Sequence, residues 1–390
     1  MTYLIIVFIL LYGVVRFDIN KVNVGRKNWA YISCSVIILM FSLRYRIGTD
    51  SVSYQYFFEK LLPSLGNLNF SSLTEDFVYE PGFVIFSSII KTLFGDWIAF
   101  QIITSVFINT VVFRFLYKRS HYFFLSVLLY FILFSFPLTC ESIRQSLAMS
   151  LFLIAIPYIE QRNYVKYVSI LAVAFFFHYS SVILFLLPLL IWCKVNTLYS
   201  YIFLVLLFLA GGTLRSQFGG AIEIAGGYFA GFDRAGTTYG EGSRYMNDAI
   251  NINAAIMSLL IIFMYIIVSS RLKNNQRLMP YNYLLFCYLC WQMLSINLGI
   301  FYRFASYFSI FGILYLSEGL LLYHNSINRT KSKNVFVTAL VALAVVVMVR
   351  HNFQIEVFPG ARQIECYYPY NSVVEKAEMP RREAIYNQMP

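Results

Sequence analysis

Long apolar runs separated by short polar linkers make up most of this chain, and they restrict its possible folds more than any other feature. Of the 390 residues, 59% are hydrophobic and 13% are charged, about half the charged fraction of a soluble domain. Because about 20 apolar residues cross a bilayer as a helix, we predict an all-α polytopic membrane protein with about 11–13 membrane segments. The candidate segments are 2–17, 29–44, 81–95, 97–117, 121–138, 142–159, 164–177, 179–193, 197–213, 251–270, 280–297, 301–323 and 334–349.

Three of these segments are too short for a full crossing. Segments 164–177 and 179–193 flank His178, and together they predict a hairpin of half-spans. Segment 81–95 is predicted to be re-entrant or steeply tilted. These three short segments let the remaining spans alternate across the membrane without conflict.

Basic residues determine the predicted orientation. Lys and Arg collect in cytoplasmic linkers, and placing the basic linkers inside puts both chain termini outside. Of the 19 acidic residues, all but Asp18, Glu160 and Glu318 then fall on the outer side or near its mouth. We attribute the net charge of +11 to cytoplasmic linkers and anionic lipid, and not to nucleic acid.

The predicted domain organisation is one integral membrane domain followed by a tail. The membrane domain covers residues 1–349 and carries two long outer loops, 45–80 and 213–250. The tail, residues 350–390, is predicted to be extracytoplasmic. Loops of this length are usually functional or disordered, so the outer face is where we expect a site for a polar substrate.

Charged residues end the second apolar segment. Arg44, Arg46 and Asp50 stand beside the bilayer, where charges are costly unless they have a function. Two guanidiniums suit a phosphate. Tyr54 would share a helical face with Asp50 if the loop begins as a helix. The alternative for the two arginines is an anchor at the lipid interface.

Two glutamates and an arginine begin the segments that follow. Glu80 precedes Pro81, where a carboxylate complements the helix dipole, so capping is one explanation of Glu80. Arg144 lies in a first helical turn, where its charge opposes the dipole and requires a partner. That partner is either a substrate anion or a structural ion pair with Glu141 or Glu80.

Further candidates follow along the predicted outer face. His178 and Tyr179 lie at the apex of the hairpin, where an imidazole can accept a proton from a hydroxyl; the alternative is a packed core histidine. Arg303 follows Tyr302 among aromatic residues at the start of a span, a position that calls for an anion.

The Gly-rich loop 213–250 supplies weaker candidates. Its paired glycines indicate close backbone approach or mobility. Arg234 and Arg244 lie in it, but a solvated loop tolerates arginine freely. The chain has no P-loop, G-x-S-x-G, H-E-x-x-H or D-x-D pattern, so we expect no bound metal, no cofactor and no nucleotide-linked donor.

Five short motifs in chain order carry a family resemblance over about residues 40–310. They are Arg46-x-Gly-Thr-Asp50-x-x-x-Tyr54, Glu80-Pro-Gly-Phe83, Ile143-Arg-Gln145, Phe177-His178 and the late Arg303. Together they resemble the EpsG-like family of Wzy-type polysaccharide polymerases. The order of the motifs and their shared predicted face make the resemblance specific, although each motif alone is weak.

The resemblance implies a GT-C-like fold and a defined reaction. The implied enzyme is an O-antigen or exopolysaccharide polymerase in the bacterial inner membrane, with its site facing the periplasm. It would transfer an undecaprenyl-diphosphate-linked glycan chain onto the terminal sugar of a new lipid-linked repeat unit. Implied partners are that oligosaccharide donor and membrane lipid, with a chain-length regulator and a flippase as further candidates.

This reaction assigns roles to the candidate residues. The arginines would stabilise the diphosphate leaving group, His178 is the preferred base with Asp50 next, the glutamates would orient arginines or sugar hydroxyls, and tyrosines would stack on sugars. The predicted catalytic residues are His178, Asp50, Arg144 and Arg303. The predicted substrate-binding residues are Arg44, Arg46, Tyr54, Glu80, Glu141, Tyr179, Tyr302, Arg234 and Arg244.

Three other functions compete with polymerisation. An O-antigen ligase would use the same donor and differ only in its acceptor. A flippase or transporter would need charges along a path to both faces, whereas the acidic residues here crowd one face. A membrane O-acyltransferase would need a histidine on an inner path, and none is placed there.

Overall fold

The computed structural model describes residues 2–71, 73–190, 199–212, 255–263, 281–325, 356–358 and 361–387, together with residues 342, 346 and 349. These residues are almost entirely helical, and the protein is an all-α polytopic membrane protein, as predicted. Within the described ranges, four helices are long and apolar enough to cross a membrane: Thr2–Ile19, Trp97–Arg119, Ile143–Glu160 and Gly299–Leu321.

The helix bounds follow the apolar segments closely. The helices in chain order are α1 (Thr2–Gly13, continued by a π-helical stretch Val14–Ile19), α2 (Arg26–Ser42), α3 (Thr49–Tyr56), α4 (Leu73–Asp76), α5 (Pro81–Phe94), α6 (Trp97–Arg119), α7 (Phe123–Leu133), α8 (Ile143–Glu160), α9 (Tyr164–Phe177), α10 (Leu187–Leu190), α11 (Tyr199–Gly212), α12 (255–263), α13 (Asn282–Asn297), α14 (Tyr302–Asn325), α15 (Gln363–Tyr367) and α16 (Pro380–Tyr386). Strands β1 (Glu356–Phe358) and β2 (Ala361–Arg362) pair antiparallel.

The chain divides into two compact units. Residues 1–186 and 345–390 form the first unit, and residues 187–344 form the second. The C-terminal tail therefore belongs to the same unit as α1–α9. The predicted boundary between membrane and tail at residue 349 stays a prediction. Loop 213–250 and most of segment 334–349 lie outside the described residues.

The predicted hairpin around His178 forms within the first unit. Helix α9 ends at Phe177, His178 adopts extended backbone, and a 3₁₀ helix runs over Tyr179–Leu186. The Tyr167 hydroxyl donates to the Leu184 carbonyl at 2.8 Å, which shows that the chain folds back on α9. His178 thus lies at the turn between two short apolar pieces.

A close helix contact brings α5 against α9. A Cβ atom added at Gly82, in the first turn of α5, would lie 2.7 Å from the Phe176 carbonyl oxygen in the last turn of α9. Only glycine permits this approach. The contact joins the start of α5 to the end of α9, and so places Glu80 beside His178.

A cluster of aromatic side chains packs against the start of α5. Phe83 is 1% exposed and packs among Tyr54, Phe57 and Phe100, with ring centroids 5.6–6.4 Å apart. Edge-to-face and stacked rings of this kind favour fixed geometry. Because Tyr54 is on α3 and Phe100 on α6, the core fixes three helices relative to one another.

The second unit is built around a pair of long helices. Helices α13 and α14 are joined by a 3₁₀ turn at Gly299–Phe301. A Cβ at Gly312 would lie 2.9 Å from a Tyr288 ring atom, so glycine lets the two helices approach closely. Small residues at such contacts are the usual means of helix association in membranes.

Candidate functional site

The carboxylate of Glu80 binds two cationic or hydrogen-bonding side chains from other helices. Glu80 precedes α5, whose first residue is Pro81. His178 at the end of α9 places Nδ1 2.7 Å from Glu80 Oε1, and Arg144 in the first turn of α8 pairs through Nη1 with Glu80 Oε2. The Glu80 side chain is only 7% exposed, so this network is largely shielded from solvent.

The environment of Glu80 determines its protonation. Burial alone would raise the pKa of Glu80, but the hydrogen bond from His178 and the charge of Arg144 outweigh burial and lower the pKa to about 2. The carboxylate is therefore ionised and can only accept. His178 must donate from Nδ1, and in the neutral ring this tautomer has Nε2 as its basic nitrogen.

Two tyrosines complete the surroundings of Arg144. The Tyr79 ring centroid lies 4.5 Å from Arg144 Cζ, a cation–π contact, and Arg144 Nε donates to the Tyr54 hydroxyl at 3.2 Å. Burial raises the pKa of Tyr54, so its hydroxyl keeps its proton while its oxygen accepts from Arg144. The guanidinium is thereby oriented by three side chains, and it remains 21% exposed.

Glu141 contacts the start of α3 and the C-terminal tail. Its carboxylate accepts from the Thr49 amide at 3.0 Å, the Thr49 hydroxyl at 2.9 Å and the Asp50 amide at 2.7 Å, and it also accepts from the Tyr367 hydroxyl. Glu141 thus satisfies the free amides at the start of α3. The structure shows Arg144 paired with Glu80, one of the two ion pairs weighed from sequence.

Arg44 is enclosed by protein atoms. It is 1% exposed and donates to the Ser105 hydroxyl at 2.9 Å, to the Thr139 carbonyl at 3.1 Å and to the Phe41 carbonyl. The Gln101 side-chain amide donates through Nε2 to the Arg44 carbonyl at 2.7 Å. This burial does not fit the substrate contact expected for Arg44, and it favours a role in holding α2, α6 and the 137–141 turn together.

Arg46 pairs with the C-terminal tail. Its Nε and Nη2 atoms donate to the two carboxylate oxygens of Glu383 at 2.6 and 2.7 Å, and the Tyr386 hydroxyl donates to the Arg46 carbonyl at 3.0 Å. The Arg46 side chain is 24% exposed. A bidentate pair is the arrangement that was expected with a phosphate, but a carboxylate of the same chain occupies it here.

The remaining candidates that the structure describes lie on several elements. Asp50 is exposed in the first turn of α3, one turn before Tyr54, and Tyr179 is 39% exposed beside Phe175. Tyr302 and Arg303 begin α14 in the second unit. Arg234 and Arg244 lie outside the described residues. The first unit therefore brings Tyr54, Glu80, Arg144 and His178 into one cluster.

Sequence reasoning missed three residues that the structure connects to this region. Tyr79 contacts Arg144 and directly precedes Glu80 in the sequence, and this adjacency to a predicted site residue was the available signal. Tyr367 and Glu383 lie in the tail, more than 200 residues from the groups that they bind. No local pattern indicates such distant pairs.

The cluster combines an imidazole, which can act as a base, with a guanidinium, which can bind an anion. A neutral imidazole oriented by a carboxylate can take a proton from a hydroxyl, as in hydrolase triads. An oriented arginine beside it can stabilise negative charge that develops on a leaving group. The pair fits transfer chemistry in which a hydroxyl attacks and an anion departs.

Comparison with known proteins gives one match. A family model described as the EpsG family matches residues 27–372, which include every residue of the Glu80 cluster. No curated protein and no solved structure matches the chain.

Proposed function

This chain belongs to the EpsG family, as its motifs predicted, and is a polysaccharide polymerase-type membrane protein; from this premise we propose a specific reaction. The enzyme extends an O-antigen or exopolysaccharide at the periplasmic face of the bacterial inner membrane. It moves a growing glycan from undecaprenyl diphosphate onto the terminal sugar of a new lipid-linked repeat unit. The fold is expected to be GT-C-like.

The Glu80 network is the observation that supports this proposal most. One ionised carboxylate holds His178 through Oε1 and Arg144 through Oε2. The proposed base, His178, and the proposed anion-binding group, Arg144, are therefore held by the two oxygens of the same carboxylate. This spacing suits a displacement at one carbon, where the attacking hydroxyl and the departing diphosphate oxygen lie on opposite sides.

The proposed transfer reaction needs no metal ion. The acceptor hydroxyl oxygen forms a bond to the anomeric carbon of the donor, and the bond from that carbon to the diphosphate oxygen breaks. The electron pair leaves with undecaprenyl diphosphate, whose new charge Arg144 stabilises. The hydroxyl proton goes to Nε2 of His178.

Other predicted residues take supporting roles in the proposal. Arg303 remains the sequence-based candidate for a further diphosphate contact, and Asp50 is the alternative base. Tyr54 orients Arg144 through the hydrogen bond at 3.2 Å, while Tyr179 and Tyr302 supply aromatic faces for sugars. Arg44 is not included, because its guanidinium is enclosed by protein acceptors.

Polymer length on a gel tests the proposal in cells that depend on this chain. We expect His178→Ala and Arg144→Ala each to lower the rate by about 10²–10³-fold and to shorten or remove the ladder. Arg119→Ala is a matched control, because Arg119 pairs with Glu160 at the other end of α8. Full ladders from both Arg144→Ala and Arg303→Ala would contradict the diphosphate assignment.

The lipid-linked intermediate distinguishes polymerisation from lipid flipping. A strain that lacks this chain is expected to accumulate single repeat units on their lipid carrier at the outer face. Accumulation at the inner face would indicate a flippase. Normal polymer with loss of transfer to lipid A core would indicate a ligase.

A further inference from the structure

The C-terminal tail pairs with the backbone of the segment that links α2 to α3. The Tyr45 amide donates to the Asn371 carbonyl at 2.9 Å, and the Val373 amide donates to the Leu43 carbonyl at 2.8 Å. The Gly48 amide donates to the Cys366 carbonyl at 3.2 Å. Main-chain pairing at three points fixes the path of this linker more firmly than side-chain contacts alone.

The linker adopts backbone conformations that require such support. Arg46 has a φ of 47° and Gly48 a φ of 95°, both in the left-handed region. A Cβ at Gly48 would lie 2.9 Å from Cys140 Cβ, so glycine is required there on two grounds. A left-handed arginine is strained and persists only where its surroundings hold it.

Three tail side chains supply that support. Glu383 binds the Arg46 guanidinium through both carboxylate oxygens at 2.6 and 2.7 Å, while the Tyr386 ring lies 5.5 Å from Arg46 Cζ. Tyr367 donates to Glu141, the carboxylate that binds the first amides of α3. Burial, followed by the charge of Glu141, raises the pKa of Tyr367, so this hydroxyl keeps its proton and donates.

The supported helix leads directly to the candidate site. Helix α3 carries Tyr54, which accepts from Arg144 Nε at 3.2 Å and packs against Phe83 at the start of α5. A shift of α3 would therefore move Tyr54 away from Arg144. Misplacement by about 1 Å at a reacting centre can lower the rate about 10²-fold.

We propose that tail residues 361–387 form a clamp that positions α3 for catalysis, with Glu383 and Tyr367 as positioning residues. This inference rests on the proposed function for its rate effect, but docking of the clamp is measurable without activity. It also assigns Arg46 to the clamp, in place of the diphosphate contact expected from sequence.

A charge exchange tests the clamp against a substrate role for Arg46. Arg46→Glu and Glu383→Arg are each expected to reduce polymer formation by about tenfold, and the double exchange is expected to restore most of it. If Arg46 instead binds the diphosphate, the double variant stays as inactive as Arg46→Glu, and the clamp assignment of Arg46 is overturned. Full ladders from both single variants would overturn it as well.

Reactivity of Cys366 reports docking of the tail directly. Cys366 is fully buried, and burial raises the pKa of its thiol to about 12, so a docked tail should resist a maleimide. We expect peptide mapping to find Cys366 labelled in both single variants and protected again in the double variant. Protection of Cys366 in the single variants would overturn the clamp.

Arg381→Glu is the matched control within the tail. Arg381 pairs with Glu365 but is 75% exposed, so reversing its charge should change neither the ladder nor the labelling. Absence of polymer from the wild-type chain would contradict the proposed function alone. The maleimide result would then still decide whether the clamp exists.

Discussion

Glu80 is the residue on which the candidate site depends. Its two oxygens have different partners, His178 and Arg144, so one carboxylate controls both a base and a cation. Keeping a carboxylate ionised at 7% exposure requires such partners, because burial opposes the charge. Removing Arg144 would leave the buried carboxylate without its cationic partner, and removing His178 would take away a hydrogen bond to the other oxygen.

Substitution of Glu80 by glutamine tests this dependence. Gln keeps the shape and can still accept from His178, but it does not neutralise Arg144 or stabilise an imidazolium. We expect Glu80→Gln to lower polymerisation by about 10²–10⁴-fold, the range for loss of acid–base function. A ladder of normal length from Glu80→Gln would show that the carboxylate charge is dispensable.

Stability against pH gives a second measure of the same charge. Because the pKa of Glu80 is lowered from 4.5 to about 2, its contribution is present above pH 4.5 and is lost as pH falls towards 2. The Glu80 charge contributes at most about 3 kcal/mol to the free energy of unfolding. Thermal melts in detergent between pH 7 and 3 should show less acid destabilisation for Glu80→Gln than for the wild type.

At this scale the sequence predicted candidate residues and offered Glu80 as one of two partners for Arg144, but it gave no partner for His178. His178, Glu80 and Arg144 follow from charge placed beside apolar segments. Whether an arginine such as Arg44 faces a ligand or a buried carbonyl depends on which helices pack around it. That packing is set by contacts between residues far apart in sequence, which a single sequence does not reveal.

At the scale of elements, apolar length predicted the helices well. Segments 164–177 and 81–95 correspond to α9 and α5, each 14 residues long. A helix of that length spans about 21 Å, less than the roughly 30 Å hydrocarbon core. The sequence also placed the break at His178, but the 3₁₀ form of Tyr179–Leu186 has no periodic signal and was not predicted.

The contact between α5 and α9 gives a prediction about one glycine. Gly82→Ala would place a Cβ 2.7 Å from the Phe176 carbonyl oxygen, which is backbone and cannot rotate away. The helices must separate, and His178 then moves from Glu80. We expect loss of most polymerisation and a cost of about 1–3 kcal/mol, measured by gel and by thermal melting in detergent.

Gly66→Ala is the control for this substitution. Gly66 lies in a 3₁₀ turn of the 45–80 loop, and a Cβ there meets nothing within 4 Å. Activity and melting temperature should therefore match those of the wild type. Normal polymerisation by Gly82→Ala would show that the close approach of α5 and α9 is not needed at the site.

At the scale of the molecule, the first unit has two chemically different ends. The Glu80 cluster lies at one end together with the start of α1 and the tail helix α15, since the Tyr3 hydroxyl donates to the Tyr367 carbonyl at 2.6 Å and Tyr367 binds Glu141. The Arg119–Glu160 pair, 2.7 Å apart, joins α6 and α8 at the other end. Basic linkers favour the cytoplasm, so this second end is expected inside.

Reporter fusions test which way the first unit faces. Alkaline phosphatase fused after Pro390 is expected to be active, and green fluorescent protein at the same position dark, because we propose that the tail and the Glu80 cluster face outside. Inserted in the turn after Arg162, between α8 and α9, the two reporters should behave in the opposite way. The internal position serves as the control for expression and insertion. A fluorescent C-terminal fusion would place the cluster in the cytoplasm, where flipped lipid-linked repeat units are absent, and would contradict polymerisation at this site.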